Sequence, residues 1–86
     1  MREREQGTQK VARLTEAQKD ALAGLVNGES SRDLAQRRSI SAEAAETLRV
    51  AVRWKLGVRT DAEAVRIGLL VGLPAVQRGV KNLGAS

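Results

Sequence analysis

Between Leu14 and Leu73 the chain is cut into short pieces by residues that start and stop helices. Thr15 followed by Gln18, and Thr60 followed by Glu63, are capping-box pairs. In such a pair the hydroxyl accepts from the N–H three residues on, and that residue's side chain reaches back to the cap. Ser30 stands in the same spacing before Asp33, and Ser41 is a further N-cap. Gly28 and Gly57 sit where a helix would end in left-handed backbone, and Pro74 blocks simple continuation. A chain punctuated this way is predicted to be all-α and built from short helices. No stretch alternates as a strand would, and no repeat is present.

Helical periodicity fills in the segments. The first helix is expected over 16–27, with Leu22, Leu25 and Val26 on its apolar side. The second runs from Ser30 to about Arg38 on the thin apolar face of Leu34 and Ala35, and Ile40 follows as a turn residue. The third is expected over 42–56. Winding it at 100° per residue puts Ala45, Leu48, Val52 and Leu56 on the core side. Glu43, Thr47, Val50 and Trp54 then face outward, flanked by Glu46, Ala51 and Arg53. The fourth, over 60–72, carries one stripe of Ala62, Val65, Leu69 and Leu73 and another of Ala64, Ile67 and Val71. A helix apolar on two sides needs two neighbours. Residues 1–13 are polar, alternate in charge and contain Gly7, and are predicted to be a flexible arm; 74–86 are expected to form a short helical or irregular extension.

Composition narrows the function. Eighty-six residues make one domain with a marginal core, which self-association would help. The chain has no cysteine, histidine, tyrosine or phenylalanine. The usual acid–base, nucleophilic and metal-binding side chains are therefore scarce, and no catalytic residue, metal site or cofactor is expected. Glu43 and Glu46 as a carboxylate pair lack the further ligands a metal requires. The charged opening residues are followed by no apolar stretch, and the run from Ile67 to Leu73 is far shorter than the ~20 residues of a membrane span. A cytoplasmic protein with no membrane association is expected. Fifteen Lys and Arg against ten Asp and Glu give a net charge of +5, which favours a polyanionic partner, nucleic acid first.

Several of these residues also fall in the order of a known family. Leu14-Thr15, Leu22, Leu25, Gly28, Ser30, Leu34-Ala35, Ile40-Ser41, Lys55-Leu56-Gly57-Val58 and Glu63-Ala64-Val65 follow one another without a gap over roughly two thirds of the chain. This series resembles the LuxR-type helix-turn-helix of bacterial transcription regulators. The resemblance implies a four-helix module over 14–73 whose third helix enters the major groove of double-stranded DNA while the first two orient it. It also implies a homodimer through the fourth helix, for which Ala64, Ile67 and Val71 offer a seam.

The chain departs from the family where DNA would be read. The usual Thr-Val-Lys-x-His stands here as Ala44-Ala45-Glu46-Thr47-Leu48, the later asparagine is Ala51, and a core leucine of the second helix is Arg38. Two uses of the outer face follow. As a DNA-binding regulator, the chain would contact phosphates through Arg32, Arg37, Arg38, Arg49, Arg53, Lys55 and Arg59. Thr47 and Val50 would meet base edges, and Glu43 or Glu46 would accept from cytosine. As a protein-interaction module, it would use Trp54, Val50 and Glu46 to engage a larger transcription regulator or RNA polymerase.

Overall fold

The structure is a computed structural model that describes residues 2–72. Over that range the chain forms five α-helices and no strand: α1 (Arg2–Ala12), α2 (Glu16–Val26), α3 (Ser31–Arg38), α4 (Ala42–Leu56) and α5 (Asp61–Leu70). The starts of α2 to α5 are made by the residues expected to make them. The hydroxyls of Thr15, Ser30, Ser41 and Thr60 accept from the N–H groups of Gln18, Asp33, Ala44 and Glu63, and three of the four are complete capping boxes. None of the described helices is long and apolar enough to cross a membrane.

The ends of α2, α3 and α4 share one geometry. Gly28, Ser39 and Gly57 adopt positive φ. The following residue then returns its N–H to the carbonyl five positions back. Glu29 reaches Gly24 at 2.9 Å, Ile40 reaches Ala35 at 2.9 Å and Val58 reaches Arg53 at 3.0 Å. The glycines take this backbone freely. Ser39, at φ 58°, takes it at a cost of roughly 1–2 kcal/mol, and in return the chain turns sharply between α3 and α4.

These turns close the helices around a core without any aromatic ring. Leu22, Leu34, Val52 and Leu56 are fully buried, with Leu14, Leu25, Ala45 and Ala64 around them. α2 packs on α4 and α5, and α3 packs on α4. α4 occupies 42–56 as its caps require, with Leu48 half-buried at the margin of the core.

Two expectations are corrected. Residues 1–13 are not a flexible arm, because Arg2–Ala12 form a helix packed on α5 and α4. The sequence there is polar but rich in good helix formers, and Val11 and Gly7 supply a buried side. Gly7, which reads locally as a breaker, lets the backbone of α1 lie close to α5. A Cβ there would stand 3.2 Å from Val71 Cγ1 and 3.3 Å from Ile67 Cγ2.

The same contact removes the expected dimer seam. Ala64 is fully buried, and Ile67 and Val71 are half-buried against α1. The second neighbour of α5 is thus the chain's own first helix. The extension expected over 74–86 lies outside the described residues.

Enlarging Gly7 should separate this pair of helices. Gly7→Leu overpacks the contact and should cost about 1–3 kcal/mol. Hydrogen exchange should show lost protection across α1 while α2 to α4 keep theirs. Unchanged protection of α1 amides would mean that its docking does not depend on the close approach.

Candidate nucleic-acid interface

The outward side of α4 is the surface on which both uses of the chain converge. Glu43, Thr47, Val50 and Trp54 are all exposed along it, and Ala44 and Glu46 flank them. Trp54 is 80% exposed, so neither α1 nor any other described element covers the indole. The N-terminal half of this face is acidic. Among the described residues Glu43 carries no bond to another side chain, whereas Glu46 accepts a 2.6 Å hydrogen bond from Ser31 Oγ on α3. Thr47 Oγ1 donates to the Glu43 carbonyl at 3.0 Å, an intrahelical bond that leaves its lone pairs outward.

Most of the arginines assigned to phosphate turn inward instead. Arg37 lies between two carboxylates: its Nη1 donates to Asp20 at 2.8 Å and its Nε to Glu29 at 2.7 Å. Arg38 Nη1 donates to the same Asp20 at 2.8 Å, and its Nη2 lies 3.8 Å from Glu16. The backbone turn explains the arrangement. Gly28 folds Glu29 back over Gly24, so the carboxylate settles where a side chain at 24 would be. Glu29 has 1% of its side chain exposed, and a buried carboxylate requires a cation. Arg37, one turn into α3 and beyond, provides it.

A second set ties α3, α4 and α5 together. Arg49 donates to Ser31 Oγ at 3.0 Å and to Asp61 Oδ2 at 2.7 Å, and Arg53 donates to Asp61 Oδ1 at 2.7 Å. Ser31 thus passes from Arg49 to Glu46, and Asp61 joins two arginines one turn apart. Arg37, Arg38, Arg49 and Arg53 are therefore structural before they are anything else. Arg32, Lys55 and Arg59 remain exposed, with no ion pair of their own among the described residues.

The C-terminal half of the face is a shallow groove of about 470 Å³ lined by Val50, Arg53, Trp54, Gly57, Val58 and Arg59. The cap at Gly57 forms one wall, since it brings Val58 back beside Trp54. Val58 was not legible as a surface contributor, because only the left-handed turn places it there. Lys10 of α1 also arrives here: its Nζ is 3.9 Å from where a Cβ on Gly57 would stand. Among the described residues no group of three or more potential ligands gathers to hold a metal ion.

Set against known proteins, the chain matches no family model, no curated protein and no solved structure. Its geometry has to be argued from its own residues.

Two consequences follow from the ion pairs. Replacing Arg37 by Met removes the guanidinium paired with buried Glu29, which should cost about 3–5 kcal/mol by urea unfolding. Adding Glu29→Gln should restore a large part of that loss, because the uncompensated charge is gone. A single variant as stable as the parent would show that Glu29 reaches water.

The second consequence concerns acid. Burial pushes the Asp20 carboxyl up, but hydrogen bonds and charge from Arg37 and Arg38 outweigh it and hold the group below its ordinary 3.8. Asp61 behaves alike, with burial opposed by Arg53 and Arg49. A carboxyl depressed in the folded state contributes stability above its unfolded value and loses it as the pH falls through the folded one. Stability should therefore decline on acidification below about pH 4, the ordinary carboxylate range. Asp20→Asn should be less stable at neutral pH and flatter in acid. An unaltered acid profile in that variant would remove Asp20 from the linkage.

Proposed function

We propose that the chain is a small DNA-binding module of a transcription regulator, docking α4 on double-stranded DNA. The observation that carries this role is the junction of α3 and α4. Eight residues of helix, a three-residue turn through left-handed Ser39 and a fifteen-residue helix follow one another. The second of these helices has one side buried on α2 and α3 and its other side bare. That is the arrangement by which a helix-turn-helix offers its second helix to the major groove. The ordered resemblance to LuxR-type modules and the net charge of +5 support it further.

On this proposal the contacts divide by availability. Arg32, in the first turn of α3, with Lys55 and Arg59 beyond the middle of α4, are the cations free to meet phosphate. Arg37 and Arg38 act indirectly, by fixing α3 against α2. Thr47 and Val50 meet base edges, Val50 through a thymine methyl. Glu43 is the carboxylate free to accept from a cytosine amine, since Glu46 is already engaged by Ser31. With α1 seated on Ile67 and Val71, dimer formation through that stripe is no part of the proposal.

The test is a salt titration of binding to mixed duplex fragments, followed by fluorescence anisotropy. The parent should bind at low salt and weaken steeply as salt rises. Arg32→Ala should lower the slope of log K against log salt by about 1, the share of one phosphate contact. Glu46→Lys should strengthen binding at every salt concentration, because a carboxylate near the phosphates is replaced by a cation. A parent that ignores duplex DNA at low salt would end this proposal.

A further inference from the structure

We infer that the groove beside Trp54 is a docking site for an acidic protein segment carrying apolar anchors, centred on the C-terminal half of α4 and sharing Val50, Lys55 and Arg59 with the DNA contacts proposed above. Its floor is apolar: the exposed indole, Val50 at 36% exposure and Val58. An unpaired aromatic of this size on a small domain is the residue type that most often anchors a protein interface. Its rim is cationic. Arg53 and Arg59 line it, and Lys55 stands exposed on the same turn of helix.

The nearby acids do not cancel that charge. Asp61 is shared by Arg49 and Arg53, which leaves an excess cation in that group. Glu63, whose carboxylate accepts from the Arg59 and Thr60 N–H groups at 2.9 and 3.1 Å, offsets part of the Arg59 charge, and Arg53, Lys55 and Arg59 still outnumber Asp61 and Glu63. The groove therefore offers apolar contact inside a positive border, and its complement is apolar side chains inside a negative one.

Other occupants fit less well. A second copy seated groove on groove would bring cations against cations. A single nucleic-acid strand is held by successive aromatic platforms, and this chain has a single aromatic residue. The docking end is also the C-terminal end of α4, which points away from the groove when a helix enters DNA by its N-terminal turns. Because Val50, Lys55 and Arg59 serve both surfaces, the segment and DNA compete for them.

Trp54 is the sole aromatic, so intrinsic fluorescence of the full chain reports this surface alone. The probe is a synthetic amphipathic peptide with leucines at helical spacing and glutamates elsewhere. Its controls are the same peptide with lysine for glutamate, and oligothymidine. The acidic peptide should shift Trp54 emission to the blue and saturate at about 10–100 µM, the range of a small surface contact. Lys55→Glu with Arg59→Glu should weaken it by at least about tenfold, as charge reversal at a rim does. With a labelled peptide, Trp54→Ala should abolish the anisotropy change while the circular dichroism stays that of the parent, because an exposed indole supports no core contact.

No shift with the acidic peptide, an equal shift with the basic one, or a response confined to oligothymidine would each overturn the inference. Peptide binding is measured without duplex DNA, so its outcome is independent of whether α4 reads DNA.

Discussion

The arrangement of α2 and α3 hangs on one buried carboxylate. Glu29 is folded over Gly24 by the left-handed turn at Gly28, and there it has almost no access to water. In most helix ends of this geometry the residue at that position is apolar and packs on the last turn. Here it is charged, so a cation has to come to it, and the cation is Arg37 from the following helix. Arg37 also holds Asp20, which draws in Arg38. A buried ion pair of this kind adds little net stability over a well-packed apolar pair, but its hydrogen bonds demand one geometry. α3 is thereby set against α2, and α4 follows α3 through three residues. The direction of the exposed face of α4 is set by its packing on α2 and α3, and the Glu29–Arg37 pair fixes α3 within that group.

That economy alters what the net charge means. Fifteen basic residues suggest a generous supply of phosphate contacts, yet four arginines around α3 and α4 are committed to Asp20, Glu29 and Asp61. Pairing leaves the total charge as it was and changes where the excess lies. On the DNA-binding proposal, three free cations near α4 imply a salt dependence nearer three phosphates than seven. Each phosphate neutralised contributes a slope of about 0.9. Such a module holds DNA weakly alone and depends on something further, either a second DNA-bound protein or contacts from residues beyond those described.

The helices from α2 to α5 were legible because their signals are local. A hydroxyl and a carboxamide or carboxylate three residues apart start a helix whatever surrounds them, and a glycine in left-handed backbone ends one. The bounds of α4 follow from Ser41 and Gly57 alone. α1 was not legible for the opposite reason. Its formation depends on Ile67 and Val71, sixty residues away in the chain, and on Gly7 being small rather than flexible. The apolar stripe on α5 announced that something covers it without saying what, and a second molecule and the chain's own first helix leave the same pattern. The ion pairs of Arg37 and Arg38 had two sequence cues, the first a glycine within α2 where alanine would make a better helix. Such a glycine usually marks a close approach. Arg38, where the LuxR-type pattern has a core leucine, was the other cue, but its partner Asp20 sits on a different helix and no local pattern links the two.

The charge along α4 is graded, and the helix itself gives a reason. Glu43 stands in the first turn and Arg53 and Lys55 in the last, the placement that best suits the helix dipole. Each such charge contributes about 0.3–1 kcal/mol, which is appreciable in a core this small. Glu46 adds a bond to Ser31 that joins α4 to the start of α3. The residues that depart most from a DNA-reading helix are thus residues that stabilise this one. An anion approaching α4 is repelled at the end that would enter a major groove and attracted at the end that carries Trp54. On the DNA-binding proposal, affinity comes from the flanks, through Arg32 on α3 and the cations after the middle of α4, with the acidic turn admitting only bases that donate to it. Discrimination by repulsion of the wrong sequence, rather than attraction of any sequence, is the selectivity this distribution of charge favours.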